Sequence, residues 1–291
     1  MKKKYFVYKL NMEGKIRKVD VIYLQNVYLL TISKLMLRGE KCMIEAIKEM
    51  PLKTLEDKIK VVPYEEGMTY IVGPINLPIQ LDDETLFFKW YCWLNVEGEQ
   101  DSSLEGLIDR LPTLELAGQQ QSSVLVYGDF ETEESALIRM HSICHTGDIF
   151  GSKRCDCGYQ LKQSLRMIKE HGVGALFYLA NHEGRGIGLF SKAFAYLLQE
   201  DGLDTVEANE QLGFADDMRS YEEAIRVLAS LRQLPVTLIT NNPLKLEALQ
   251  KSGANVDGRI PLWGDVSHYN QRYLETKMEK AGHFRGGFTI E

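Results

Sequence analysis

The chain has 291 residues, 44% of them hydrophobic and 26% charged, with a net charge of −7. That length serves one large domain or two modest ones, and the composition is that of an ordinary globular protein, neither disordered nor fibrous. The acidic balance excludes a nucleic-acid module working by bulk phosphate attraction, although a local cluster of Arg and Lys is enough to hold a small anion.

Met1-Lys2-Lys3-Lys4-Tyr5 leads into a short apolar run broken by Lys9 and Asn11. No secretory signal and no membrane-length apolar segment is visible, so a cytoplasmic protein with no membrane partner is expected. Lys4–Leu10 and Val19–Tyr23 alternate as strands do, and Ile32–Met50 has helical apolar spacing. Residues 1–70 are therefore expected to form a small α+β extension of unassigned role, ending where Pro63 and Gly67 punctuate the chain, with a larger domain over 71–291. Tyr70–Val72 and Leu86–Tyr91 predict a strand pair, and the polar stretch from Glu97 to Ser122 predicts a linker. Val124–Tyr127 and Ala136–Met140 predict strands, and Leu161, Leu165, Met167 and Ile168 mark a helix ending near Gly172. Strand Ala175–Leu179, helices Phe190–Gln199 and Tyr221–Leu231, strand Val236–Thr240 and a helix from Pro243 to Leu249, closed by Gly253, complete the pattern. Strands alternating with helices give an α/β (α+β) class, a mixed sheet flanked by helices.

Three of the five cysteines, Cys144, Cys155 and Cys157, fall in one short stretch. In a reducing compartment such a cluster favours metal over disulfides. Three thiolates with no fourth cysteine suit a catalytic zinc ion with an open position. A structural zinc, with His145 completing a Cys3His set, and a metal-free loop are the alternatives. Lys153 and Arg154 help keep thiols deprotonated. Cys42 and Cys92 lie apart and read as buried or indifferent thiols.

His182-Glu183-Gly184-Arg185-Gly186-Ile187-Gly188-Leu189 joins a predicted strand to a predicted helix, where backbone N–H groups can approach a phosphate or a flat base. Its glycines do not match the dinucleotide fingerprint, and Lys192 is misplaced for a P-loop; a plain tight turn explains it equally well. Asp216-Asp217-Met218-Arg219 reads either as an acidic helix start or as a carboxylate base beside an arginine. Thr240-Asn241-Asn242-Pro243-Leu244-Lys245 closes a strand and opens a helix, at the end of an α/β sheet where ligands bind.

Together with Arg139-Met140-His141-Ser142, Thr146-Gly147-Asp148, Arg154 through Leu161, Ala195-Tyr196 and Asp204 through Asn209, these stretches resemble the GTP cyclohydrolase II family of riboflavin biosynthesis. The resemblance runs from about Gly73 to the C-terminus, and residues 1–70 do not resemble the dihydroxybutanone phosphate synthase domain sometimes fused to that family. It implies one zinc ion on Cys144, Cys155 and Cys157, activating water for attack at guanine C8 with loss of formate. It further implies Asp217 as general base, Arg219 as nucleophile at the α-phosphorus or as stabiliser of phosphate charge, and Tyr196 near the metal. Arg139, Thr240 and Lys245 would take the triphosphate, shielded by Mg2+. His141, Ser142, Gln160, Glu183, Gly184, Arg185 and Thr205 map to nucleotide-binding positions, with Glu183 accepting from guanine N1 and N2. GTP or a related purine nucleotide is the implied partner, and a homodimer the implied assembly.

The chain departs from the family pattern at Ile143 (usually Glu), His145 (usually apolar), Ala180 (commonly Arg) and Phe194 (usually Arg). Three charges lost around one pocket would alter its substrate or product. A relative acting on another nucleotide or nucleobase derivative is one alternative reading, and a non-catalytic, zinc-stabilised nucleotide-binding protein is another. Asp217, Arg219 and Tyr196 argue against the last, because a pure binder has no evident need for all of them.

Overall fold

The computed structural model describes residues 5–10, 16–21, 55–98 and 103–284. The chain divides into two compact units, with the boundary between Thr54 and Leu55. In the first unit, β1 (Tyr5–Leu10) and β2 (Ile16–Val21) form an antiparallel pair with Tyr5 opposite Val21 and Leu10 opposite Ile16. The helix expected over Ile32–Met50 lies outside the described residues.

The second unit is organised by one eight-stranded mixed sheet, in the order β10-β9-β7-β8-β6-β5-β4-β3. Its antiparallel half comprises β3 (Ile59–Tyr64), β4 (Gly67–Leu81), β5 (Glu84–Glu97) and β6 (Ser123–Tyr127). Residues 59–64, expected within the N-terminal extension, thus belong to this sheet. Pro63 lies inside β3, where the outer edge tolerates a residue that cannot donate to the ladder. The two predicted strands at Tyr70–Val72 and Leu86–Tyr91 are parts of one long β4–β5 hairpin.

The parallel half comprises β7 (Leu137–Ser142), β8 (Gly174–Leu179), β9 (Val236–Ile239) and β10 (Val256–Ile260). Parallel strands covered on both faces read as continuous buried runs, and Leu137 through His141 are all buried. One face packs Leu137, Leu176 and Ile239 against Leu165 and Ile168 of α2 (Cys157–His171). The opposite face packs Ile138, Met140, Phe177 and Leu238 against Ala224, Val227 and Leu228 of α5 (Glu222–Leu231) and Leu249 of α6 (Pro243–Lys251). Between β8 and β9 the chain also forms α3 (Gly188–Glu200) and α4 (Thr205–Gln211), which enclose a smaller apolar cluster of Ile187, Ala195 and Ala208. A last helix, α7, spans Gln271–Glu279.

The stretch expected to be a linker contains α1 (Leu104–Arg110), capped by Ser103, whose Oγ accepts from Gly106 N at 3.0 Å, and anchored by buried Leu107. Among the described residues, no helix is long and apolar enough to cross a membrane.

Candidate active site

Strands β7, β8 and β9 end side by side, and the loop after each carries residues that line one cavity of about 430 Å³. This is the strand edge where open α/β sheets bind ligands. All sixteen residues assigned a site role on sequence lie around it: Cys144, Cys155 and Cys157; Asp217, Arg219 and Tyr196; Arg139, His141, Ser142, Gln160, Glu183, Gly184, Arg185, Thr205, Thr240 and Lys245.

The loop after β7 brings the three sulfur atoms within 4.8 Å of one another, and Cys144 and Cys155 lie 3.6 Å apart. Zn–S bonds of about 2.3 Å in a tetrahedron place sulfur atoms roughly 3.8 Å apart, so the spacing fits zinc. Among the described residues no fourth His, Cys, Asp or Glu joins the group. The His145 ring instead packs edge-on against Phe150, at 4.9 Å between centroids. Three thiols this close share protons unevenly. Hydrogen bonds from Cys155 and Cys157 hold Cys144 far below the usual thiol range, and the bond to Cys144 pushes Cys155 up to about 12. A divalent cation among them removes that conflict.

Gly147 makes the cluster sterically possible. A Cβ there would lie 2.8 Å from Cys155 Sγ and 3.1 Å from Cys144 Sγ. Gly147→Ala is therefore expected to weaken zinc binding by roughly 10- to 100-fold while the sheet remains folded, which chelator competition measures. The start of the loop is pinned by Asp148, which accepts from Cys144 N at 2.9 Å, Tyr178 OH at 3.1 Å and His141 Nε2 at 3.1 Å. Burial lowers the His141 pKa, so its ring is neutral. Tyr196 OH hydrogen-bonds Thr146 Oγ1 at 3.1 Å, and burial raises its pKa, so it stays a phenol.

The turn after β8 is tightly wound. Gly184, Arg185 and Gly186 have φ of +61°, +66° and +94°. A positive φ costs Arg185 of order 1 kcal/mol. Its ion pair with Asp216 and the bond from Met218 N to Arg185 O at 3.0 Å hold it there. Those contacts also overturn one expectation: Asp216–Arg219 is not a helix start but an irregular segment bonded to the turn, and α5 begins only at Glu222. Asp217 grips Arg219 through both carboxylate oxygens, with Nε at 2.8 Å from Oδ1, and Arg219 Nη1 reaches Ser142 Oγ at 3.3 Å. Burial works against both charges, but for Arg219 the influence of Tyr221 and Asp217 prevails and its pKa is raised. For Asp217 the bond to Arg219 prevails and its pKa is lowered, so the resting pair is ionic.

Two assigned residues are more committed than expected. Glu183, 1% exposed, accepts from Lys192 Nζ at 2.6 Å, His145 N at 2.7 Å and Gly184 N at 3.2 Å, so three bonds already engage its carboxylate. Gln160 spans Arg139 Nη2 at 2.5 Å, Asp156 Oδ2 at 2.5 Å and Leu262 O at 3.2 Å, so it orients an arginine. At the end of β9, Thr240 Oγ1 accepts from Asn242 N at 3.0 Å. Lys245 Nζ donates to Met140 O at 2.7 Å and, among the described residues, makes no ion pair. Burial, then Arg139, Arg219 and Lys277, drive its pKa well below that of an ordinary lysine.

His182 accepts from Ser142 Oγ at 3.1 Å and donates to Ser220 O at 2.8 Å, and burial depresses its pKa to about 3. A histidine neutral when folded and protonated when unfolded adds stability above about pH 6.5 that is lost as pH falls toward 3. Urea titrations should give wild-type protein a slope in that window steeper than His182→Gln by up to about 1.4 kcal/mol per pH unit.

Several cavity residues escaped sequence reasoning. Lys192 lies four positions before Tyr196 on α3, a spacing that shares one helical face and was a usable signal. Behind the cavity lining, Asp156, between two of the cysteines, pairs with Lys277 Nζ at 2.8 Å and accepts from Gly264 N at 3.3 Å. Tyr273, Lys277, Lys280 and His283 come from the segment around α7, for which no sequence motif gave warning. Of the departures, only Ile143 lines the cavity. Phe194 is half-exposed on α3 beside Phe190, and Ala180 N donates to Ser122 Oγ at 3.1 Å. The expectation of three changes around one pocket is thereby corrected.

The family profile described as GTP cyclohydrolase II matches residues 115–261. A GTP cyclohydrolase-2 of Colwellia psychrerythraea is 50% identical over 164 residues, covering 56% of this chain and 81% of that protein. A riboflavin biosynthesis protein of Vibrio vulnificus is 50% identical over 170 residues, 58% of this chain and 46% of its own. A probable monofunctional riboflavin biosynthesis protein of Oryza sativa is 38% identical over 238 residues, 82% of this chain and 40% of its own. The chain thus spans less than half the length of these riboflavin biosynthesis proteins. The cavity wall formed by Leu262, Tyr273, Lys277, Lys280 and His283 lies beyond the profile match.

Proposed function

Since the chain belongs to the GTP cyclohydrolase II family of hydrolases, we propose that it is a zinc-dependent enzyme that opens the imidazole ring of GTP. Formate and pyrophosphate leave, and 2,5-diamino-6-(5-phosphoribosylamino)pyrimidin-4-one remains, a product for riboflavin biosynthesis. The observation that carries this reading is one cavity lined by three clustered thiols, by the buried Arg139 and Lys245, and by the partly buried Arg219.

Cys144, Cys155 and Cys157 would hold the zinc ion, which when bound would supply Lewis-acid activation of water for attack at guanine C8. Tyr196, a phenol hydrogen-bonded beside the same loop, donates to charge developing on the purine. Arg139 and Lys245 neutralise the triphosphate together with Mg2+, and Thr240 positions it. Asp217 orients Arg219 and stands where it can accept a guanidinium proton. The resting ion pair favours Arg219 first as a stabiliser of charge at the α-phosphate. His141, Ser142, Gly184, Arg185 and Thr205 contact the nucleotide, while Gln160 and Glu183 act through Arg139 and the metal loop. A cytoplasmic setting suits free thiols at Cys92, Cys144, Cys155 and Cys157. A homodimer is supported by the exposed stripe Phe190, Phe194 and Leu197 on α3.

The test is incubation of zinc-loaded protein with GTP and Mg2+, with formate and pyrophosphate assayed separately. Equal amounts are expected. Formate without pyrophosphate would restrict the reaction to ring opening. Neither product, from folded zinc-bound protein, would sink the reading in favour of another nucleotide.

A further inference from the structure

Lys192 is a buried cation that the mechanism above does not use. It projects from α3, is 7% exposed, and donates from Nζ to Cys144 Sγ at 3.2 Å and to Glu183 Oε1 at 2.6 Å. Gly184 leaves room for its stem, since a Cβ there would lie 3.3 Å from Lys192 Cβ. Glu183 Oε2 accepts in turn from the backbone N of His145, the residue after Cys144, at 2.7 Å. The contacts close a ring: Cys144 sulfur, Lys192, Glu183, His145 N and back to Cys144. A buried ammonium persists only where anions meet it, and here one of the two is a thiol of the metal-ligating group.

The charge balance gives this ring a purpose. Three thiolates around a divalent ion leave one net negative charge, which weakens the ion as a Lewis acid and repels an anionic nucleotide. A cationic donor on one sulfur draws electron density from that thiolate, while the carboxylate of Glu183 balances the ammonium itself. We propose that Lys192 is a positioning residue of the metal centre, setting the donor strength of Cys144 and, through Glu183, fixing the metal-ligating loop against the glycine-rich turn. This inference rests on the zinc reading.

The test uses full-length protein loaded with Co2+, whose thiolate-to-metal charge-transfer band reports sulfur donor strength independently of turnover. Lys192→Met should move the band to longer wavelength, because the freed thiolate is more electron-rich. It should also lower kcat by roughly 10- to 100-fold. Lys192→Arg, which keeps a cationic donor, should return the band toward the wild-type position. Glu183→Gln, which leaves the lysine on Cys144, should shift it far less than Lys192→Met. An unmoved band in cobalt-bound Lys192→Met, or equal shifts in Glu183→Gln and Lys192→Met, would overturn the proposal and leave Lys192 as a mere partner of Glu183. Should Lys192→Met fail to fold, Lys192→Gln carries the same comparison. Wild-type protein that binds neither Co2+ nor Zn2+ would overturn the zinc reading itself, which separates the two failures.

Discussion

Cys155→Ser is expected to abolish bound zinc and reduce formate release from GTP by at least about 10³-fold, while the protein stays folded. The sulfur of Cys155 lies 3.6 Å from that of Cys144, and with Cys157 these are the only His, Cys, Asp or Glu ligand atoms gathered there among the described residues. Two thiolates and a hydroxyl make a poor zinc site, and water without the metal has a pKa of about 15.7 instead of about 7. The fold does not depend on the loop in the same way. Both apolar layers of the sheet are built from residues such as Ile138, Phe177, Leu176 and Ile168, and the cysteines belong to neither. Metal analysis, circular dichroism and the formate assay on one preparation decide the matter. Turnover without metal would refute a zinc role, and loss of the fold would make the metal structural.

Lys245→Met is expected to act in opposite directions on stability and on binding. Lys245 is 6% exposed, and its Nζ donates to a carbonyl, not to a carboxylate. Arg139 and Arg219 add repulsion to the cost of burial. A lysine whose folded pKa is depressed binds its proton more readily when unfolded, so it penalises the fold below about pH 10.4, and the penalty eases as pH rises toward that value. The methionine variant should therefore be more stable without nucleotide by about 1–3 kcal/mol, a rise in Tm of at least about 2 °C, with a flatter dependence on alkaline pH. It should also lose about 2–5 kcal/mol of GTP affinity, visible as the disappearance of nucleotide-induced thermal stabilisation. A variant that is destabilised yet still stabilised by GTP would show that Lys245 serves the fold and not the triphosphate.

The sheet was legible because its physics is local. Continuous apolar runs such as Ala175–Leu179 and Val236–Ile239 announce strands buried on both faces, and Gly172 stops α2 with a φ of +91°. Glycines and cysteines flagged the loops after β7 and β8 because few other residues fit those backbones or that chemistry. Asp216–Arg219 was misjudged for an equally physical reason. Acidic residues ahead of an apolar period look like a helix N-terminus, whereas the bonds of Asp216 and Met218 to Arg185 tie this segment to the turn instead. The short α1 buries little besides Leu107, too weak a periodic signal in a polar stretch. Glu183 and Gln160 were placed at the cavity from sequence, but their hydrogen-bond partners come from distant parts of the chain and were not legible there.

The wall of the cavity around α7 is synthesised after the strands whose ends carry the site. By the time Ile260 has been joined to the growing chain, β7, β8, β9 and all three cysteines have already been made. Asp156, buried between two of those cysteines, still lacks Lys277 and the Gly264 N–H that complete its shell. At about 5–20 residues per second, translating the remaining wall takes on the order of a second or more. A nascent chain can thus form its sheet and gather its three thiols before it owns a closed pocket.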